Sequence, residues 1–342
     1  MRISRVDNLK GIGILLIILG HCSFPHDNLL TRYLFSFHVA LFFILSGFLF
    51  NEEKYNNFTK FIKSKFFRLV IPFFAFNIIH FAINKFFGEF SGTRITDFSV
   101  GVLYGDYLGD NGGIFNNTGG FNIGNISTWF LTALFFTSIY YFVLNKMVKS
   151  KIVKIIIVFL LSLIVYFESK ITIFRLPWGI EISFMMLLFY TFGNIFKKKI
   201  KNFAEKVDFR YLGLIILILL VHLPFLNHTN ISINNYGNYF LFLSNSLLGF
   251  ITFLIISKLI GENSILSFFG KNSIIILGFE WIKIPLEKHF LSLINFEVPY
   301  LFGFTQFIIT VILLIPIIYI VNNFFPFILG VGYKHSILKK YL

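Results

Sequence analysis

Long apolar runs separated by short polar segments dominate the chain. Ten of them approach the roughly 20 mostly apolar residues that a helix needs to cross a bilayer. They fall at about 9–25, 33–50, 69–88, 127–145, 152–168, 178–196, 210–226, 239–257, 272–290 and 300–321. The ninth carries Glu280, Lys283, Pro285 and Glu287, which predicts a broken helix or one beside a wet cavity. No internal repeat or separate soluble domain is evident. Residues 1–342 therefore read as one all-α integral membrane unit, a bundle of about ten transmembrane helices.

The polar segments orient that bundle. Lys and Arg concentrate in cytoplasmic loops of membrane proteins. With a cytoplasmic N-terminus and alternating spans, 23 of the 30 Lys and Arg fall on the inner side, and ten of the 16 acids fall on the outer side. An incorrect count would scramble this alternation, so both termini are expected in the cytoplasm. The outer segment 89–126 is long, acidic and rich in Gly and Asn. Its stretch GDYLGDNGGIFNNTGG reads as a loop. Loops of this length are either connectors or functional elements such as lids.

Composition agrees with the pattern. The chain is 56% hydrophobic and only 13% charged, with a mean hydropathy of +0.78. Soluble domains carry about 25% charged residues; here lipid must solvate part of the apolar surface. A net charge of +14 would suggest nucleic acid in a soluble protein. The concentration of the basic residues in inner segments argues against that partner. A single cysteine, Cys22, excludes an intrachain disulfide. The first apolar run lacks a convincing small-residue cleavage site and reads as a retained helix.

Ionisable groups inside a membrane are costly, and each marks a candidate site. The candidates are His21, His38, His80, His222, Glu181, Glu280 and Lys283. In the first run, RVDNLKGIGILLIILGHC, Lys10 and His21 are 11 residues apart, which is three helical turns plus roughly 20°. A cation at the inner surface thus shares a helix face with an imidazole about 16 Å deeper. Asp7 lies near that face, one turn before Lys10. Gly11, Gly13 and Gly20 allow another element to pack closely. His38, in FSFHVALFFILSGFLF, enters from the outer surface to a depth similar to His21. A histidine titrates near neutrality and suits proton transfer. The inner segment KSKFFRLVIPF offers Lys65 and Arg68, read either as ordinary inner-face anchors or as a phosphate site. Cys22, His80 and His222 read as core filling. Glu181 and Glu280 could orient an imidazole or bind acceptor hydroxyls, and Trp129 could stack a sugar ring or belong to an interfacial aromatic belt.

Taken in order, DNLKGIGILLIILGH, FHVALFFILSGFLF, KFFRLVIPF, ISTWFLTALFF and GKNSIIIL resemble the membrane-bound acyltransferase family 3, most nearly its fucose O-acetyltransferase-like branch. The family's motif of a basic residue, a ten-residue gap and a histidine maps onto Lys10 and His21. Its Arg-x-x-Arg pattern falls on Lys65 and Arg68, with Lys in the first place. Its Ser-Gly-Phe and Trp-Phe-Leu motifs fall on Ser46–Phe48 and Trp129–Leu131. Two positions depart: Ala40 stands where a Pro is usual, and Glu280 where a His is expected in the ninth helix.

The resemblance implies acetyl-CoA, or a related acyl-CoA, as a cytoplasmic co-substrate with no permanently bound cofactor or metal. It also implies a sugar or lipid-linked glycan of the cell envelope as acceptor. On that reading Lys10, Lys65 and Arg68 hold the donor phosphates and His21 is the catalytic base. His38 is a second catalytic or acceptor-binding group, and Asp7 orients Lys10 or the donor. Trp129, Glu181 and Glu280 are weaker acceptor-side candidates. The expected location is the cell membrane, the cytoplasmic membrane of a bacterium, crossed many times. A transporter or flippase of glycan precursors is the alternative, although the repeat between halves common in transporters is missing.

Overall fold

A computed structural model describes residues 4–25, 28–55, 57–87, 95–104, 126–171, 176–284 and 298–330. Fifteen α-helices are described: α1 (Ser4–Gly20), α2 (Leu29–Phe35), α3 (His38–Leu49), α4 (Phe58–Lys65), α5 (Ile71–Phe86), α6 (Ile95–Tyr104), α7 (Trp129–Met147), α8 (Lys151–Ile171), α9 (Ile180–Ile195), α10 (Lys197–Lys206), α11 (Leu212–His222), α12 (Tyr239–Ile260), α13 (Ser264–Lys271), α14 (Ser273–Phe279) and α15 (Pro299–Phe324). No strand occurs among the described residues. Helices suit a lipid solvent because they satisfy their own backbone groups.

Among the described residues, seven helical stretches are long and apolar enough to cross a membrane. Two further pairs qualify if each bent pair is one span: α10 with residues 209–225, bent by 105°, and α13 with residues 273–282, bent by 64°. The second pair meets the ninth run of the sequence only through residues 273–282, because α13 precedes that run. It breaks at Asn272, and residues 285–290 of the expected span lie outside the described residues. At 17 residues α1 is about 25 Å long, short of the roughly 30 Å hydrocarbon core.

Three element boundaries differ from expectation. The second run is two helices, α2 and α3, separated by a turn at Ser36–Phe37. The third begins at Phe58 and passes through a π-helical turn, Phe66–Val70, before Pro72 in the first turn of α5. Within the expected outer loop, residues 95–104 form α6; the GDYLGDNGGIFNNTGG stretch lies outside the described residues. Trp178, in the left-handed region at φ 60°, donates its indole N–H to the carbonyl of Val102 at 3.1 Å, tying α6 to the start of α9.

Two helix pairs meet backbone to backbone through glycine. A Cβ on Gly11 of α1 would strike the carbonyl of Leu266 on α13, and one on Gly270 of α13 would strike the carbonyl of Asp7. The same reciprocity joins α3 and α9, where Gly47 meets the carbonyl of Tyr190 and Gly193 that of Ile44. Small residues permit such approach where lipid offers no hydrophobic drive to association. Around this centre α8 presents Ile152, Ile156, Leu160 and Ile164 outward at four-residue spacing, and α11 and α15 are similarly apolar outside. Water would not tolerate so large an exposed apolar surface; lipid does.

Candidate active site

His21 follows the last residue of α1. Its backbone N–H still bonds to the carbonyls of Ile17 and Ile18, at 3.1 and 3.2 Å, so the imidazole keeps the helix register although the helix has ended. Across from it, the turn between α2 and α3 fixes His38. Asn28 caps α2 by accepting from the Thr31 N–H at 2.9 Å, and His38 Nδ1 donates back to the Leu34 carbonyl at 2.5 Å. The two imidazole rings stand edge to face with centroids 6.1 Å apart. The depths expected for these histidines from two separate runs therefore coincide.

Glu280 completes the group. Helix α14 tightens into a single 3₁₀ turn at Glu280–Ile282, where Trp281 donates its indole N–H to the Gly278 carbonyl at 2.9 Å and packs edge-on against His80 at 4.7 Å. This turn aims Glu280, only 1% exposed, at His21. Oε1 lies 2.8 Å from His21 Nδ1 and also accepts from the Ser127 hydroxyl, while Lys283 Nζ stands 3.6 Å from Oε2. A buried carboxylate is costly unless paired and hydrogen-bonded. Here an imidazole, a hydroxyl and an ammonium surround it.

The donor roles follow from chemistry. An ionised carboxylate only accepts, so His21 Nδ1 carries the proton in that contact. Leu34 O likewise requires a proton on His38 Nδ1. In the neutral tautomers Nε2 of each ring is therefore a lone pair, and neither Nε2 has a hydrogen bond among the described residues. A histidine whose Nδ1–H is held by a carboxylate is fixed in the tautomer that presents Nε2 as a base, and its cation is stabilised when it forms.

Both histidines line a cavity of about 180 Å³. Ile17, Val39 and Leu277 contribute aliphatic lining, and Phe35, Trp129 and Phe130 aromatic lining. Ser127 and residues 230–232 close the rest. Ligand pockets for drug-sized molecules run to about 300–1,000 Å³. This cavity is sized for the reacting end of a substrate and not for a whole nucleotide carrier.

The structure thus brings together His21, His38, Trp129 and, behind His21, Glu280. It does not bring the remaining candidates to the cavity. Glu181 is buried in the first turn of α9 and does not line it. Asp7 lies in the first turn of α1, and the half-buried Lys10 one turn later, about three turns before His21. Asp7, placed with the catalytic candidates from the sequence, is about 21 Å along the helix from His21. Lys65 is half-buried with Nζ 5.7 Å from the centre of the Phe61 ring, and Arg68 is exposed in the π-helical turn. None of the three cations lines the cavity. Glu280, read as an acceptor-side candidate, contacts His21 instead, the other role open to it from the sequence.

Sequence reasoning missed Ser127, Asn230 and Ser232, and gave Lys283 no role. Ser127 sits beside Trp129 in a motif already singled out, but nothing in its spacing links it to Glu280, 153 residues away. The reading of His222 and Cys22 as core filling matches what surrounds them. His222 is fully buried against Ser36 Oγ at 3.1 Å, and Cys22 Sγ donates to the Ile18 carbonyl. No group of three or more His, Cys, Asp or Glu suited to a metal occurs among the described residues.

The acyltransferase-domain profile of the acyltransferase 3 family matches residues 3–323. No curated protein and no solved structure matches the chain significantly. With a family match over nearly its whole length and an all-helical, lipid-facing architecture, the chain is a multi-pass membrane acyltransferase that belongs to the acyltransferase 3 family.

Proposed function

We propose that this protein is an O-acetyltransferase in which His21 activates a sugar hydroxyl and acetyl-CoA supplies the acyl group. The observation that carries the reading is the His21–Glu280 contact at the wall of a small cavity. Nε2 of His21 takes the proton of the acceptor hydroxyl as its oxygen attacks the thioester carbonyl. The carbon–sulfur bond then breaks, and the thiolate leaves with the proton returned from His21, giving the acetyl ester and free CoA. Glu280 holds the imidazolium that exists between the two proton transfers, and Ser127 and Lys283 keep the carboxylate in place. A route in which His21 first takes the acyl group itself uses the same atoms.

His38 is assigned the acceptor side. Its Nδ1–H is occupied by Leu34, so the neutral ring can only accept, which suits a substrate hydroxyl and not a developing oxyanion. Lys10, Lys65 and Arg68 are assigned the CoA phosphates at the inner face. The π-helical turn that carries Arg68 is of a kind frequent at functional sites. Since the cavity is too small for the nucleotide, the extended pantetheine arm has to cover the roughly 16 Å between Lys10 and His21. We place α1 across the membrane with both termini in the cytoplasm, ten spans in all, and the acceptor among the envelope glycans of a bacterium, as in the fucose O-acetyltransferase-like branch.

The test is chemical. Membranes containing the protein are incubated with acetyl-labelled CoA, and surface glycans are compared by mass spectrometry with those of cells lacking the gene. The reading expects label in glycan and a mass difference of one acetyl group. Label that stays in CoA and water, with identical glycans, would refute it.

A further inference from the structure

The segment between α11 and α12 is the least explained part of the cavity wall. It reads LNHTNISINNYGN over residues 226–238, with no spacing that hints at a site. Yet it is built as a fixed turn. Asn227 holds both ends: its Nδ2 donates to the carbonyls of Tyr236 at 2.7 Å and Asn238 at 2.9 Å, and its Oδ1 accepts from the Asn238 N–H at 2.9 Å. Asn230 and Asn235 exchange backbone hydrogen bonds at 2.8 and 2.9 Å. Thr229 Oγ1 donates to the Phe35 carbonyl at 3.0 Å, tying the turn to the end of α2, next to the His38 turn. Gly237 has φ +57°, and a Cβ there would collide with the Asn227 side chain.

At the tip, Asn230, Ile231 and Ser232 line the same cavity as Trp129 and Phe130. Ser232 Oγ donates to Asn230 Oδ1 at 2.6 Å. That bond leaves the amide N–H groups of Asn230 as donors and the Ser232 oxygen as an acceptor, side by side. No lysine, arginine or carboxylate lines the cavity among the described residues. Apart from the two histidines, such a lining has nothing to neutralise a phosphate or a carboxylate, and it has nothing to neutralise an ammonium. Aromatic side chains and a paired amide and hydroxyl in one lining suit a ring with an apolar face and neutral hydroxyls at its edge.

We propose that the Asn230–Ser232 turn is the acceptor-selecting edge of this site. It holds ring hydroxyls of a neutral saccharide unit whose face lies against Trp129 and Phe130, and so presents one further hydroxyl to His21. The proposal rests on the His21 reading above and adds which residues choose the acceptor. Because the turn is braced before any ligand arrives, little ordering is left for binding to oppose.

The experiment uses the full-length protein in proteoliposomes with labelled acetyl-CoA. The acceptors are a panel of p-nitrophenyl glycosides of neutral sugars and, separately, 1-propanol, which has a hydroxyl but no ring. Wild type, Asn230→Ala, Ser232→Ala and His21→Ala are compared. The proposal expects wild type to prefer at least one glycoside over propanol. It expects each turn variant to raise the KM for that glycoside by about ten- to a hundredfold, the scale of losing a hydrogen bond that reads a substrate hydroxyl. The KM for acetyl-CoA and the rate with propanol should stay within about twofold, the small change left when a contact outside the donor site is removed. An unchanged glycoside KM in both variants overturns the proposal, as does a parallel fall with glycoside and propanol. If His21→Ala is inactive while both turn variants match wild type, only the acceptor assignment falls. If His21→Ala transfers as well as wild type, the base reading falls and takes this one with it.

Discussion

Glu280 decides how His21 behaves. The carboxylate keeps Nδ1 protonated, leaves Nε2 bare and opposes the positive charge that forms when Nε2 takes a proton. Glu280→Gln is nearly the same shape but removes that charge, and its amide can donate to Nδ1 and favour the wrong tautomer. We expect kcat for transfer to fall by about 10²–10⁴-fold, the usual worth of a positioned acid–base group, with the KM for acetyl-CoA little changed. Steady-state kinetics on purified protein checks this; a kcat within a few fold of wild type would mean that Glu280 does not serve the base. The sequence made His21 legible because a cation and a histidine shared a helix face. It could not reveal the Glu280 contact, which joins residues 259 positions apart across a bend that only the packed structure creates.

At the scale of elements, the site depends on helices that approach unusually closely. Helix α1 carries His21 and is seated on α13 through Gly11 and Gly270; the same chain segment, after the bend at Asn272, carries Glu280. Overpacking that contact separates the two halves of the dyad. Gly270→Val should lower thermal stability and activity together, by about 1–3 kcal/mol or more in stability, the range for forced overpacking. Gly213→Ala on α11 is the control. Its Cβ meets nothing within 4 Å, and the change should leave activity intact and stability equal or slightly higher. Equal melting temperatures for Gly270→Val and wild type would show that the close approach is dispensable. The glycines were legible in the sequence as places for close packing, but their partners were not: the residues they meet are backbone carbonyls, which carry no sequence signature. The bounds of α2 and α3 were missed for a related reason, since two polar residues, Ser36 and His38, in a mostly apolar stretch give no clear sign of the turn at Ser36–Phe37.

For the whole molecule, we place the donor at one face and the reacting end of the acceptor near the other. On α1 Lys10 lies about three turns before His21 and the cavity, and none of Lys10, Lys65 and Arg68 lines the cavity. The division predicts separable defects. Lys10→Ala and Arg68→Ala should each raise the KM for acetyl-CoA by about tenfold or more, the scale of losing a hydrogen bond between charged groups, with acceptor KM unchanged. Donor titrations that coincide with wild type for both variants would remove these residues from phosphate binding. The membrane class and helical architecture were legible from composition and run length alone, because uncharged apolar runs near 20 residues are long enough to span a bilayer and too long for most buried core helices. The finer count was less so, since a 17-residue α1 and two bent pairs do not meet a simple length rule.

One measurement bears on all of this most directly: the single-turnover rate at which purified His21→Ala passes label from acetyl-CoA to an acceptor that wild type modifies, at matched protein amounts. With the imidazole gone and the cavity otherwise intact, we predict a loss of about 10³-fold or more in a protein that still melts like wild type. A rate within tenfold of wild type would show that the proton of the acceptor leaves by another route, and that the His21–Glu280 pair is only part of the packing.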